Sequence, residues 1–94
     1  MQVIVESPNP QATEMRAFAE RCVRFAMRRL SWLVPRVKVY LSDVNGPCCG
    51  IDKRCQVQLL SAGRKDVVAT SVTRDWGSAL QSASGRAVRS LLNN

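Results

Sequence analysis

Residues 13–33, TEMRAFAERCVRFAMRRLSWL, place apolar side chains at intervals of three and four. That spacing gathers them along one side of a helix that turns every 3.6 residues or so. Phe18, Cys22, Phe25, Ala26, Leu30 and Leu33 are expected on the apolar face. Arg21, Arg24 and Arg28 fall on the opposite side, where the same spacing aligns them as a ridge, with Arg16 and Arg29 flanking it. The segment therefore has to bury one face in a core and present a row of cations on the other.

The core it packs against is read from strands. Val3 and Val5 alternate with Gln2 and Glu6, which predicts a five-residue strand ending at Ser7-Pro8, with Pro8 and Pro10 in the turn that follows. Thr13 is placed to cap the long helix, Glu14 sits in its first turn, and Trp32 and Pro35 end it. Val37, Val39 and Leu41 alternate with Lys38, Tyr40 and Ser42 in a half-buried strand. A further strand over residues 53–60 has Cys55, Val57 and Leu59 on one side and Arg54, Gln56 and Gln58 on the other. An Ala62-Gly63-Arg64 turn leads by a hairpin into a strand over residues 66–73.

Asp75 is placed to cap a second helix over residues 75–92. Its expected buried face is Trp76, Leu80, Ala83, Ala87 and Leu91, with Arg86 and Arg89 outside. Gly77, Gly85 and several serines make this helix weak by propensity, which suits a helix lying close against a sheet.

The order strand, helix, strand, strand, strand, helix predicts an α+β fold. A right-handed crossover makes the first two strands parallel, and hairpins add the other two antiparallel. The expectation is a four-stranded mixed sheet, β-α-β-β-β-α, with two helices packed on one face, forming a single domain over residues 1–94. Side by side, the helices would merge Arg21, Arg24, Arg28, Arg29, Arg86 and Arg89 into one basic patch, extended by Lys53 and Arg64 near loops.

Charge indicates the partner class. Fourteen Lys and Arg stand against seven Asp and Glu, a net charge of +7, and eleven of the fourteen are arginine. Arginine grips phosphate oxygens with a rigid two-pronged fork. A solvated basic face and an acidic protein partner remain alternatives to nucleic acid. The opening MQVIVESPNP lacks the basic and long apolar regions of a secretion signal, and no window approaches the 20 or so apolar residues of a membrane span. A cytosolic setting with reduced cysteines and no membrane partner is expected. The aromatic residues are few and expected mostly inside, which favours folded RNA held by its backbone over a stacked single strand.

The chain resembles a known family in the order of these pieces. A strand, then Thr13-Glu14-Met15-Arg16-Ala17-Phe18 opening an arginine-rich helix, then the Val37, Val39, Leu41 strand is similar to the ribosome hibernation-promoting factors and ribosome-associated inhibitor proteins. Asp52-Lys53-Arg54-Cys55-Gln56-Val57 resembles their third strand, and Arg74-Asp75-Trp76-Gly77-Ser78-Ala79-Leu80 resembles their helix opening. The resemblance implies a translation inhibitor that binds small-subunit rRNA in the mRNA and tRNA channel and stabilises idle ribosomes; a monomer on the ribosome is expected, with the oligomeric state of the free chain left open. The likeness is to the short forms of the family. Short relatives tend to finish with several lysines, whereas this chain finishes Ser90-Leu91-Leu92-Asn93-Asn94, and Cys48 stands where relatives with a similar loop often have arginine.

Other chemistry has less to build on. Cys48 and Cys49 are adjacent, lack the paired spacing of a zinc site, and the chain has no histidine. No glycine-rich phosphate loop, paired carboxylate or nucleophile with its base is present in the sequence. The expectation is a binding protein without catalytic residues, metal or cofactor. A thiol sensor at Cys48 and Cys49 is a remaining alternative.

Overall fold

The computed structural model describes residues 1–7, 15–46, 50–61, 63 and 65–93. Its elements run β1 (Gln2–Glu6), α1 (Arg16–Ala26), β2 (Arg36–Gly46), β3 (Gly50–Leu60), β4 (Val67–Thr73) and α2 (Trp76–Leu92), with a short 3₁₀ turn at Ser31–Leu33. The strands form one sheet in the order β1-β2-β3-β4. β1 and β2 are parallel across the α1 crossover, and the other two pairings are antiparallel. This is the expected α+β arrangement, a mixed four-stranded sheet with both helices on one face.

Two-residue alternation makes that face. Val5, Val39, Val57 and Ala69 form one cross-strand row, and Val3, Val37, Leu59 and Val67 form the next. All of these are buried except Val3, which packs partly covered against the core. Leu41, Cys55 and Ser71 continue the same surface. The opposite face is bare of helices and leaves Tyr40, Val68 and Val72 exposed. Between β3 and β4, Gly63 adopts φ +73°, a left-handed conformation that glycine reaches without a side-chain clash.

α2 behaves as its sequence indicates. The Asp75 carboxylate accepts from the Ser78 amide at 2.9 Å, filling a donor that the helix itself leaves open. Leu80, Ala83, Ala87 and Leu91 are buried, with Ala79 and Ser84 beside them, and Trp76 packs half-buried at the edge. Gly77 leaves room for the capping carboxylate: a Cβ there would stand only 3.2 Å from Asp75 Oδ2, whereas the Phe18 ring, 3.8 Å away, is at ordinary contact distance.

α1 differs from the sequence reading in phase and length. Ala19 and Val23 are its buried residues, followed by Met27 at its cap, while Phe18 and Cys22 lie on the flank and Phe25 is 69% exposed. Phe18 and Phe25 sit at about 100° or more from Ala19 around the helix axis. Centring the buried stripe on alanine and valine brings the α1 backbone nearer the sheet than centring it on phenylalanine would.

The α-helical bonding also stops early. Met27 N–H still reaches the Val23 carbonyl, but Arg28, Leu30 and Leu33 donate three residues back, to Phe25, Met27 and Leu30. The tightened turns fit Pro35, which disfavours helix at Val34, and Val34 instead enters the core in extended conformation. Thr13 and Glu14, expected at the helix start, lie outside the described residues.

β2 and β3 run further than their alternation suggests, pairing out to Gly46 and Gly50. Residues 43–46 add no new alternating apolar positions on the core side beyond Leu41, so periodicity has nothing to report there.

Urea unfolding checks the phase of α1. Val23→Ala is expected to cost about 1–3 kcal/mol, and Phe25→Ala less than about 1 kcal/mol. Ser84→Ala removes a buried hydroxyl without a hydrogen-bond partner among the described residues and is expected to raise stability by about 1–2 kcal/mol.

Candidate nucleic-acid interface

Because both helices lie on the same side of the sheet and touch each other, their outward surfaces form one continuous layer. Arg21, Arg24, Arg28 and Arg29 are exposed on α1 and the turn after it, and Arg86 and Arg89 are exposed on α2. The guanidinium groups divide by what they touch.

Arg24 is a brace. Its Nε donates to Glu20 Oε1 at 3.0 Å, one helical turn back, and its Nη1 donates to the Met1 carbonyl at 3.3 Å. The side chain thereby ties α1 to the start of β1. Arg86 faces away from α1: its Nη1 donates to the Thr70 carbonyl of β4 at 3.0 Å. Lys53 donates to Asp43 at 2.7 Å and stands 5.1 Å from the centre of the Trp76 ring. Its charge is matched by a carboxylate at the α2 end of the sheet. Arg64 lies outside the described residues.

Arg28 is held without being neutralised. Its Nη1 donates to the Phe25 carbonyl at 2.9 Å, one of the acceptors left open at a helix C-terminus, and its guanidinium lies 4.3 Å from the Phe25 ring centre. One of its five N–H groups is used in that bond, and the others have no hydrogen-bond partner among the described residues. Arg21, Arg29 and Arg89 make no ion pair with any described residue. Arg21, Arg28, Arg29 and Arg89 are thus exposed with no carboxylate partner among the described residues, as are Arg16 at the start of α1 and Arg86, whose one bond is to a main-chain carbonyl.

A shallow groove runs along the helix seam. Ala26, Arg28, Arg29 and Leu30 line it from one side, and Val88 and Leu92 from the other. A second hollow lies among Phe18, Arg21, Cys22 and Phe25. Phe25 and Trp32, at 69% and 78% exposure, add aromatic surface beside this basic layer. Helical spacing predicts Phe25 on the apolar face, since a bulky aromatic at such a position more often marks the core, and its exposure corrects that expectation. The local signal that sets it apart is the run of smaller residues Ala19, Val23 and Ala26, able to form the core stripe by themselves.

The thiols within reach of description are quiet. Burial pushes Cys55 up to about 12, with the neighbouring Cys22 thiol adding to the shift. Burial also raises Cys22, against the opposing pull of Arg21. Both are protonated at neutral pH. Cys48 and Cys49 lie outside the described residues. Among the described residues no group of three His, Cys, Asp or Glu side chains is placed to hold a metal ion. No helix among them is long and apolar enough to cross a membrane.

No protein-family model matches the sequence, and no curated protein is significantly similar to it.

The orientation of α2, and with it of Arg89, begins at the Asp75 cap. Hydrogen bonds from the Ser78 amide and side chain hold this carboxyl below the usual carboxylate range. A depressed native value means that its stabilising effect is complete above the unfolded-state pKa, about 3.9, and is lost as pH falls through the native value. Acid titration of helical circular dichroism is expected to show α2 loosening below about pH 4. Asp75→Asn, which keeps a capping oxygen without a titrating group, is expected to flatten that part of the profile.

Proposed function

We propose that this chain is a ribosome-associated translation inhibitor, binding small-subunit rRNA in the mRNA and tRNA channel and stabilising idle ribosomes. The observation that carries the reading is the set Arg21, Arg28, Arg29 and Arg89, exposed on one helix layer without carboxylate partners among the described residues. Its β-α-β-β-β-α order and its sequence resemblance to hibernation-promoting factors supply the choice of RNA.

In this reading the arginines bind phosphate oxygens, setting affinity and orientation without reading base sequence. Arg28 begins this task favourably, because the Phe25 carbonyl and ring already restrict it and less side-chain freedom is lost on binding. Arg24 holds α1 in place, and Phe25 and Trp32 offer apolar surface to unstacked bases at the margin. The chemistry is occupancy rather than catalysis: a channel filled by this domain cannot hold mRNA and tRNA. The setting is cytosolic.

Sedimentation through sucrose gradients with purified small subunits tests the reading. The chain is expected to comigrate, and its affinity to fall roughly 50- to 150-fold for a fourfold rise in salt if four phosphates are neutralised. Combined Arg21→Glu, Arg28→Glu and Arg89→Glu replacement is expected to abolish comigration while circular dichroism stays unchanged. Binding that survives this replacement would remove the helix layer from the mechanism. Partners that persist in a nuclease-treated pull-down, with no rRNA recovered, would point to an acidic protein instead.

A further inference from the structure

The open edge of β4 is self-complementary, and we propose that the free chain pairs there with a second copy of itself, antiparallel, to give a continuous eight-stranded sheet. The inference does not depend on the RNA reading.

β4 reads VVATSVT and has no proline or charged residue within it. It pairs with β3 on one side, and among the described residues no strand lies on the other. An uncharged, β-branched edge of this kind is a template for another strand unless something blunts it. Among the described residues, Arg86 blunts it: its Nη1 occupies the Thr70 carbonyl at 3.0 Å. That contact also identifies which main-chain groups face outward. A residue in an antiparallel strand directs its N–H and C=O to the same side, so Thr70, and with it Val68 and Val72, offers both groups to the open edge.

Centring a two-fold axis on Thr70 pairs those groups with their own counterparts. Thr70 then faces the partner's Thr70, and Val68 faces the partner's Val72. Side chains of these residues lie on the uncovered face of the sheet, where Val68 and Val72 are 54% and 48% exposed. The pairing gives each valine an apolar neighbour across the new strand boundary.

The next position out in the same register sets Asp66 against the partner's Arg74. Asp66 and Arg74 immediately flank the two ends of β4. The juxtaposition occurs twice by symmetry and is of opposite charge. Asp66 and Arg74 are exposed and form no ion pair with any described residue. Shifting the register by two residues sets Asp66 against the partner's Val72 and loses the match. In the pair, the partner's Thr70 amide takes over the carbonyl that Arg86 holds in the lone chain. Both helix layers remain uncovered on the same side of the joined sheet.

Multi-angle light scattering across a dilution series, on protein freed of nucleic acid, tests the proposal. The chain is expected to form a dimer at high micromolar concentration. Asp66→Arg turns two attractive pairs repulsive and is expected to weaken dimerisation about tenfold or more. Adding Arg74→Asp restores the opposite charges in exchanged positions and is expected to recover dimerisation to within about threefold. Both sites are exposed, and circular dichroism checks that the fold is kept. A chain that stays monomeric at every concentration would overturn the proposal, as would a dimer indifferent to Asp66→Arg or one that the exchanged pair fails to restore.

Discussion

Four strands and two helices fit together here through one matching of widths. Strands about 4.8 Å apart give a four-stranded sheet of roughly 15–19 Å, and two helices about 10 Å across cover it when they lie side by side. The inner face, with Val5, Val39, Val57 and Ala69 in one row, is closed by Ala19 and Val23 of α1 and by Ala79, Leu80, Ala83 and Ala87 of α2. Small residues on both helices make the approach close. With both helices used on one side, their outward surfaces become neighbours and the far side of the sheet stays bare.

Much of this was legible in the residues. Strict alternation around Val37, Val39 and Leu41, and around Cys55, Val57 and Leu59, identified the sheet and its inner face, because an apolar side chain at every second position has only one way to be buried. Asp75 marked the start of α2, and the spacing of Leu80, Ala83, Ala87 and Leu91 gave its phase. α1 was harder. It contains more apolar residues than its buried stripe needs, and periodicity alone could not tell that alanine and valine, rather than the phenylalanines, face the sheet. Its early end depended on Val34 being drawn into the core, a tertiary effect.

The candidate interface was legible as a set of residue types, less so as a set of free charges. Spacing placed Arg21, Arg24 and Arg28 on one exposed ridge, and they are exposed. Which guanidinium groups are spent inside the protein was decided by contacts distant in sequence: Arg24 with the Met1 carbonyl, Arg86 with Thr70, Lys53 with Asp43. The first two of these cations join a helix to an outer strand, so part of the basic surface serves the fold's own seams. Arg21, Arg28, Arg29 and Arg89, with Arg16 at the start of α1, remain as the surplus among the described residues. A cluster of unneutralised like charge is tolerated at the surface because water screens it, and it gains free energy when an anionic surface displaces that water and its counterions.

The proposed binding mode depends on which side of the molecule meets RNA. Electron cryomicroscopy of small ribosomal subunits incubated with the chain measures this most directly. Density for the domain is expected in the mRNA and tRNA channel with the α1 and α2 layer against rRNA, and with the guanidinium groups of Arg21, Arg28, Arg29 and Arg89 at hydrogen-bonding distance from phosphate oxygens. A domain seated by its bare sheet face, through Lys38, Tyr40, Gln56 and Gln58, or subunits with no bound chain at low salt, would contradict it.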